Sequence, residues 1–169
     1  HVCCSGHPVE VARDLGTEAD PGLDTFFSTT GARIETTDEP QAYYHPVQDR
    51  IHMPPIATFH SANGYYATLA HEAVHWTGHG SRLDRLGNAR ARKGYGFQEL
   101  IAEIGSCMVC ASLGLVPDFG QSAAYVEAWL TALKQDKRAI FTAASAAQAA
   151  CNLLLERGGR AETPKQDAA

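Results

Sequence analysis

The sequence predicts an α+β fold: a small antiparallel sheet, an active-site helix, a glutamate-bearing helix after it, and a C-terminal helical hairpin. Three observations carry this expectation. The run Leu69-Ala70-His71-Glu72-Ala73-Val74-His75-Trp76 holds an HExxH motif, three short β-forming runs precede it, and helical periodicity dominates from about Gly94 onward. Residues 1–20 are mixed in character and are expected to be irregular. Pro21 to about Thr29 reads as a short helix stopped by Gly31. Ala32–Thr36, Gln41–His45 and Arg50–Met53 alternate or carry β-formers between turn residues, which predicts three strands. Ser61 can cap the HExxH helix, which Gly78 or Gly80 ends. Within it Tyr65, Leu69, Ala73 and Trp76 form an apolar stripe on the face away from His71 and His75, suiting a helix buried on one side.

From about Gly94 to Leu113 a second helix follows, with Phe97, Leu100, Ile101, Ile104, Met108 and Ala111 recurring at helical spacing. Two alanine-rich helices, near Gln121–Gln135 and Lys137–Arg157, complete the hairpin, and the tail after Gly158 is expected to be disordered. The division is therefore an irregular segment 1–20, one domain over 21–157, and a tail over 158–169.

Two histidines four residues apart on a helix share one face and can hold one metal ion, while the glutamate between them points at the water on that ion. A catalytic zinc keeps three protein ligands, so a third must come from elsewhere. His79, Glu99 and Glu103 are the candidates. His79 continues the row 71, 75, 79, but a straight helix would set it about 12 Å along the axis from His71. The longer motif HExxHxxGxxH bends the chain at a glycine; Gly78 stands there, yet Ser81 fills its third histidine position. Glu99 and Glu103 share a stripe of the second helix with Ser106 and Cys110. An HExxH helix followed by an ExxxE helix resembles the glutamate-type zincins, which implies Glu99 as third ligand and Glu103 as the acid that orients a ligand histidine. One zinc ion is expected, with Glu72 as general base. Tyr44, His79 and Tyr95 are candidates for contacting substrate or an oxyanion, and the strand near Arg50–Met53 for pairing with an extended substrate.

The resemblance extends beyond these motifs. Ala42-Tyr43-Tyr44-His45-Pro46, Asp49-Arg50-Ile51-His52-Met53-Pro54-Pro55 and Gly64-Tyr65-Tyr66-Ala67-Thr68-Leu69, leading into HEAVHWTGH and Ser81-Arg82-Leu83-Asp84-Arg85, resemble the C-terminal zincin-like metallopeptidase domain of ArdC-type antirestriction proteins. A similar domain occurs in conjugal-transfer TraC primases. Phe97–Leu115 and the run from Asp136 to Ser145 continue the match, which covers roughly Leu23 to Leu155. The resemblance implies a zinc metallopeptidase domain from a mobile-element protein that protects incoming DNA from host restriction, acting on a protein or peptide such as a host defence protein. That family usually adds an N-terminal domain that binds single-stranded DNA, for which this sequence has no room. The alternative is a metal-stabilised module that binds DNA or a restriction enzyme without hydrolysing anything.

Composition bounds these expectations. With 169 residues, 44% apolar and 20% charged, the chain suits one domain with a real core. Its net charge of −5 argues against a nucleic-acid footprint spread over the whole surface. Arg82, Arg85, Arg90, Arg92 and Lys93 nonetheless cluster between the two metal-site helices, either as a solvated loop or as a contact to phosphate through Arg82, Arg85 and Arg92. Any DNA binding by this domain is expected to be weak. No run approaches the roughly 20 apolar residues of a membrane span, and no secretory signal is present, so a cytoplasmic protein without a membrane partner is expected. Five cysteines without a disulfide rhythm fit a reducing compartment. Cys107 and Cys110, inside a predicted helix, read as packing residues, and His1, Cys3, Cys4 and His7 as part of a frayed terminus.

Overall fold

A computed structural model describes residues 13–86, 95–117 and 138–160. Helix α1 (Pro21–Thr29) starts where Asp20 accepts hydrogen bonds from the Gly22 and Leu23 amides at 2.8 and 3.1 Å, and where Pro21 lacks an N–H that would otherwise need a partner. It buries Leu23, Phe26 and Phe27. Strands β1 (Arg33–Thr36), β2 (Tyr43–His45) and β3 (Arg50–Met53) follow, then a 3-10 turn at Ile56–Thr58.

The three predicted strands are present, but the sheet is mixed rather than antiparallel. Its order is β1-β3-β2, with β3 parallel to β1 and antiparallel to β2. Strand β3 is thus central, and Ile51, His52 and Met53 are fully buried, so it offers no edge to a substrate. Among the described residues, the free edges belong to β1 and β2. Buried His52 explains the crossing. Its Nδ1 bonds the Gln41 carbonyl and its Nε2 the Thr37 hydroxyl, each at 2.7 Å, so one side chain on β3 ties down both ends of the β1–β2 connection. Because a carbonyl only accepts, Nδ1 carries the proton there. The Tyr43 ring stacks on the same imidazole at 5.0 Å between centroids.

Helix α2 (Ala62–Thr77) is capped by Ser61, whose Oγ accepts from the Gly64 amide at 3.1 Å. Its stripe Tyr65, Leu69, Ala73 and Trp76 is buried as expected. Gly78 closes the helix with φ −78°, so the stop does not depend on a left-handed glycine. Instead Arg85 donates to the Val74 carbonyl at 2.6 Å and the Thr77 hydroxyl at 2.9 Å, placing a cation at the negative end of the helix.

Helix α3 (Tyr95–Leu113) runs antiparallel to α2. Asn63, in the first turn of α2, clamps Val116, just beyond α3, through bonds of 2.7 and 2.8 Å to its carbonyl and amide. That clamp sets the start of α3 beside the end of α2. The two axes come close at Gly105, where a Cβ would lie 2.9 and 3.0 Å from the methyls of fully buried Val74. Helix α4 (Ala139–Arg157) packs on α3 and α2 with Ala139, Ala143, Ala147, Ala150, Cys151 and Leu154. Its length and mean hydropathy of 1.2 would suffice to cross a membrane, but its alanine face is buried in the core. The predicted helix near 121–135, residues 1–12 and the tail from 161 lie outside the described residues.

Candidate metal centre

The antiparallel pair α2–α3 brings His71, Glu72 and His75 against Glu99 and Glu103. Glu99 and Glu103 are only 4% and 9% exposed, which removes the ordinary solvated-glutamate explanation for them. A buried carboxylate must be compensated. Glu99 faces both imidazoles, with Oε2 3.4 Å from His71 Nε2 and Oε1 3.3 Å from His75 Nε2. The two Nε2 atoms are 3.2 Å apart.

These three separations test whether the donor set suits a metal. Around an ion with bonds of about 2.0 to 2.1 Å, tetrahedral ligand atoms lie about 3.3 to 3.4 Å from one another. The His71, His75 and Glu99 atoms form a triangle of that size, with all donor atoms within 4.8 Å. The residues therefore fit a divalent ion with two nitrogens and one oxygen.

Electrostatics agree with the geometry. Burial drives the Glu99 carboxyl upward, but the two imidazoles outweigh it and hold its pKa down at about 2. For His71 burial lowers the pKa, and the surrounding Glu99, Glu72 and Glu103 more than reverse it. Glu72 moves the other way: burial raises its pKa, only partly opposed by His75 and His71. The backbone of Tyr44 on β2 is the smallest influence on Glu72 and favours its charged form. Glu103 stands on the far side of His71, with Oε1 3.8 Å from Nδ1, within ion-pair reach but longer than a hydrogen bond.

The other candidate residues are distributed differently. His79 lies in the loop after α2, its Nδ1 paired at 2.8 Å with Ser81 Oγ, and it is outside the metal cluster. Tyr44 turns its hydroxyl away from Glu72, donating to Asp49 Oδ1 at 2.8 Å, and burial with Asp49 beside it raises its pKa. What β2 presents to the site is the Tyr44 backbone, which no side-chain pattern reveals. Tyr95 opens α3, and its side chain is outside the described residues, as are Arg90, Arg92 and Lys93. Arg82 and Arg85 are turned inward. Arg85 is 9% exposed and binds the end of α2, while Arg82 pairs with Asp49 and lies over the Trp76 ring at 4.0 Å. Both guanidiniums are engaged within the fold and not presented to a phosphate. Burial also lowers the Arg85 pKa to about 10. A separate open pocket of about 400 Å³, lined by Asp24, Phe27, Ile34, Tyr65 and Leu69 among others, includes none of the metal-site residues.

Comparison with known proteins matches this arrangement. The signature of the zincin-like metallopeptidases covers residues 21–146. The chain is 46% identical to a DNA primase TraC of Escherichia coli over 122 residues, which is 72% of this chain and 12% of that protein. It is also 46% identical to the uncharacterized protein y4eC of Sinorhizobium fredii over 110 residues, 64% of this chain and 36% of that one. Among solved structures, the antirestriction protein ArdC from plasmid R388 is 68% identical. Its metal-free form superposes with a TM-score of 0.80 over 90% of this chain and 56% of that chain. Its Mn(II)-bound form does so with 0.79 over 91% and 58%. The chain thus spans an eighth or less of the TraC primases it matches and little more than half of ArdC. The matched signature, the HExxH helix facing a glutamate helix and the shared architecture agree, and the chain belongs to the zincin-like metallopeptidase family.

Proposed function

We propose that this domain is a zinc-dependent peptidase of the glutamate type, holding one ion through His71, His75 and Glu99, with Glu72 as general base. The observation that carries the reading is the triangle of donor atoms with sides of 3.2, 3.3 and 3.4 Å beside a half-buried carboxylate. When bound, the metal polarises a substrate carbonyl and lowers the pKa of its water towards about 7. Glu72 accepts a proton from the attacking water and returns it to the leaving amine, and burial raises its pKa towards the range where that exchange is effective. Glu103 fixes the His71 ring by attracting the Nδ1 proton, leaving Nε2 free as a ligand.

An extended substrate would pair with β2, the free edge nearest α2. Antiparallel alternation turns the amide and carbonyl of one residue to the same side. On this reading the Tyr44 amide and carbonyl share the outer edge of β2, and the carbonyl accepts from a substrate amide.

The likeness to an antirestriction protein supports a role in protecting incoming DNA, with a host defence polypeptide as substrate. Glu72→Gln should retain the metal and lose cleavage by about 10²- to 10⁴-fold, the usual contribution of a general base. An unchanged rate would remove Glu72 from the mechanism. A second reading, a metal-stabilised binding module for DNA or a restriction enzyme, is favoured by one fact: the solved relative is an antirestriction protein. Restriction protection measured with Glu72→Gln separates the two, since protection that survives the substitution belongs to binding.

A further inference from the structure

Arg82 occupies an unusual position for a loop arginine. Its side chain is 6% exposed and makes contacts to two elements at once. On one side Nε donates to the Trp76 carbonyl at 2.7 Å, and the guanidinium plane lies 4.0 Å from the Trp76 ring centroid. Trp76 directly follows His75, and its carbonyl belongs to the last turn of α2, where intrahelical partners run out. On the other side Nη1 donates to Asp49 Oδ2 at 2.9 Å, Nη2 pairs with Asp49 Oδ1, and Nη2 reaches the Tyr44 hydroxyl at 3.4 Å. Tyr44 in turn donates to Asp49 at 2.8 Å.

Asp49 sits in the tight turn between β2 and β3 with φ 48°, a left-handed conformation in which aspartate is tolerated better than most residues. The turn thereby aims its carboxylate back across the hairpin at Arg82. Strand β2 is three residues long, so its ladder to β3 supplies few bonds, and an anchor at its turn adds to the hold that His52 gives its other end.

We propose that Arg82 is a positioning residue that fastens the β2–β3 hairpin to the end of α2, holding the free edge of β2 at Tyr44 in register with Glu72. This deepens the peptidase reading and rests on it for its catalytic consequence, though not for its structural one. The planar fork is what the task requires: two parallel bonds to a carboxylate, one to a helix carbonyl and a stacked face on an indole cannot all be supplied by an ammonium.

The test uses Arg82→Ala and Arg82→Lys in the whole chain with three readouts. Amide hydrogen exchange at Tyr44 should accelerate by about tenfold in both variants, while the central-strand amides of Ile51 and His52 keep their protection. Manganese affinity should stay within about threefold, because no ligand is touched. With peptide substrate, kcat should fall by on the order of tenfold to a hundredfold with metal content unchanged, the scale of an ångström-level misplacement. Exchange at Tyr44 unchanged in both variants overturns the proposal, and so does acceleration spread evenly over the sheet and α2, which would mark a general stability role. Recovery of Tyr44 protection in Arg82→Lys would also count against it. If Arg82→Ala does not fold, Arg82→Lys and Asp49→Asn decide the same question. Should the wild-type chain cleave no peptide, the peptidase reading fails separately, and the exchange result still decides whether Arg82 holds the edge.

Discussion

At the residue scale, the site is a contest between burial and charge. Glu99, at 4% exposure, keeps a pKa of about 2 because two imidazoles face it, whereas Glu72, with less compensation, is driven upward. The carboxylates thus separate into one suited to hold a cation and one suited to exchange a proton. Metal titration should rank the damage as Glu99→Ala first, Glu103→Ala second and His79→Ala last, with Glu103→Ala costing about 10- to 100-fold in affinity. A larger loss from Glu103→Ala than from Glu99→Ala would exchange their roles. Asp49 makes a second prediction, on pH. Its hydrogen bonds to Arg82 hold its pKa below the ordinary value of 3.8, against the opposing effect of burial. A depressed carboxylate adds stability above its unfolded pKa and loses it as pH falls through the folded one. The melting-temperature gap between wild type and Asp49→Asn should therefore be constant near neutrality and close below about pH 4. A gap that persists unchanged to about pH 2 would mean that the ion pair contributes nothing.

At the element scale, the candidate metal site depends on the close approach of two helices. Gly105 permits this, since a methyl there would meet Val74 at 2.9 Å, and Val74 is β-branched and fully buried, so it cannot yield cheaply. Gly105→Ala gains about 1 kcal/mol of helix propensity but incurs about 1 to 3 kcal/mol of overpacking. The overpacking should win. Denaturant unfolding should show net destabilisation on the order of 1 kcal/mol, and metal affinity should fall as Glu99 is pushed from the imidazoles. A more stable variant with normal affinity would place the helices further apart than described.

At the scale of the whole molecule, three segments distant in sequence converge on one region. Trp76 is covered by Arg82 from the post-α2 loop and by Arg157 from the end of α4, at 4.0 and 5.3 Å from its ring centroid. Gly158 then lets α4 abut Phe26 of α1, where any Cβ would come within 2.2 Å of the ring. Because the candidate ligands His71, His75 and Glu99 come from two helices that meet only in the folded chain, metal binding and folding are expected to be coupled. A divalent ion at about 100 times its dissociation constant should stabilise the native chain by about 2.7 kcal/mol. For a chain of this size that corresponds to roughly 5–10 °C in Tm. His71→Ala should abolish the shift, and a shift that survives it would place the ion elsewhere.

Much of this was legible without coordinates. The HExxH spacing puts His71 and His75 on one helix face by periodicity alone, and the apolar stripe Tyr65, Leu69, Ala73 and Trp76 identifies the buried side. Caps and turns mark the ends of α1 and α2, because those signals act within a few residues. Strand direction did not follow from the sequence. The parallel pairing of β1 with β3, and the central place of β3, depend on buried His52 binding Thr37 and Gln41 across the sheet. Nor did the fate of the arginines: a basic run looks the same whether it faces solvent or turns inward, and only the carbonyls at the end of α2 and the carboxylate of Asp49 drew Arg85 and Arg82 into the fold. Local signals depend on bonds between near neighbours in sequence, whereas these outcomes depend on charges and carbonyls that meet only after the chain has packed.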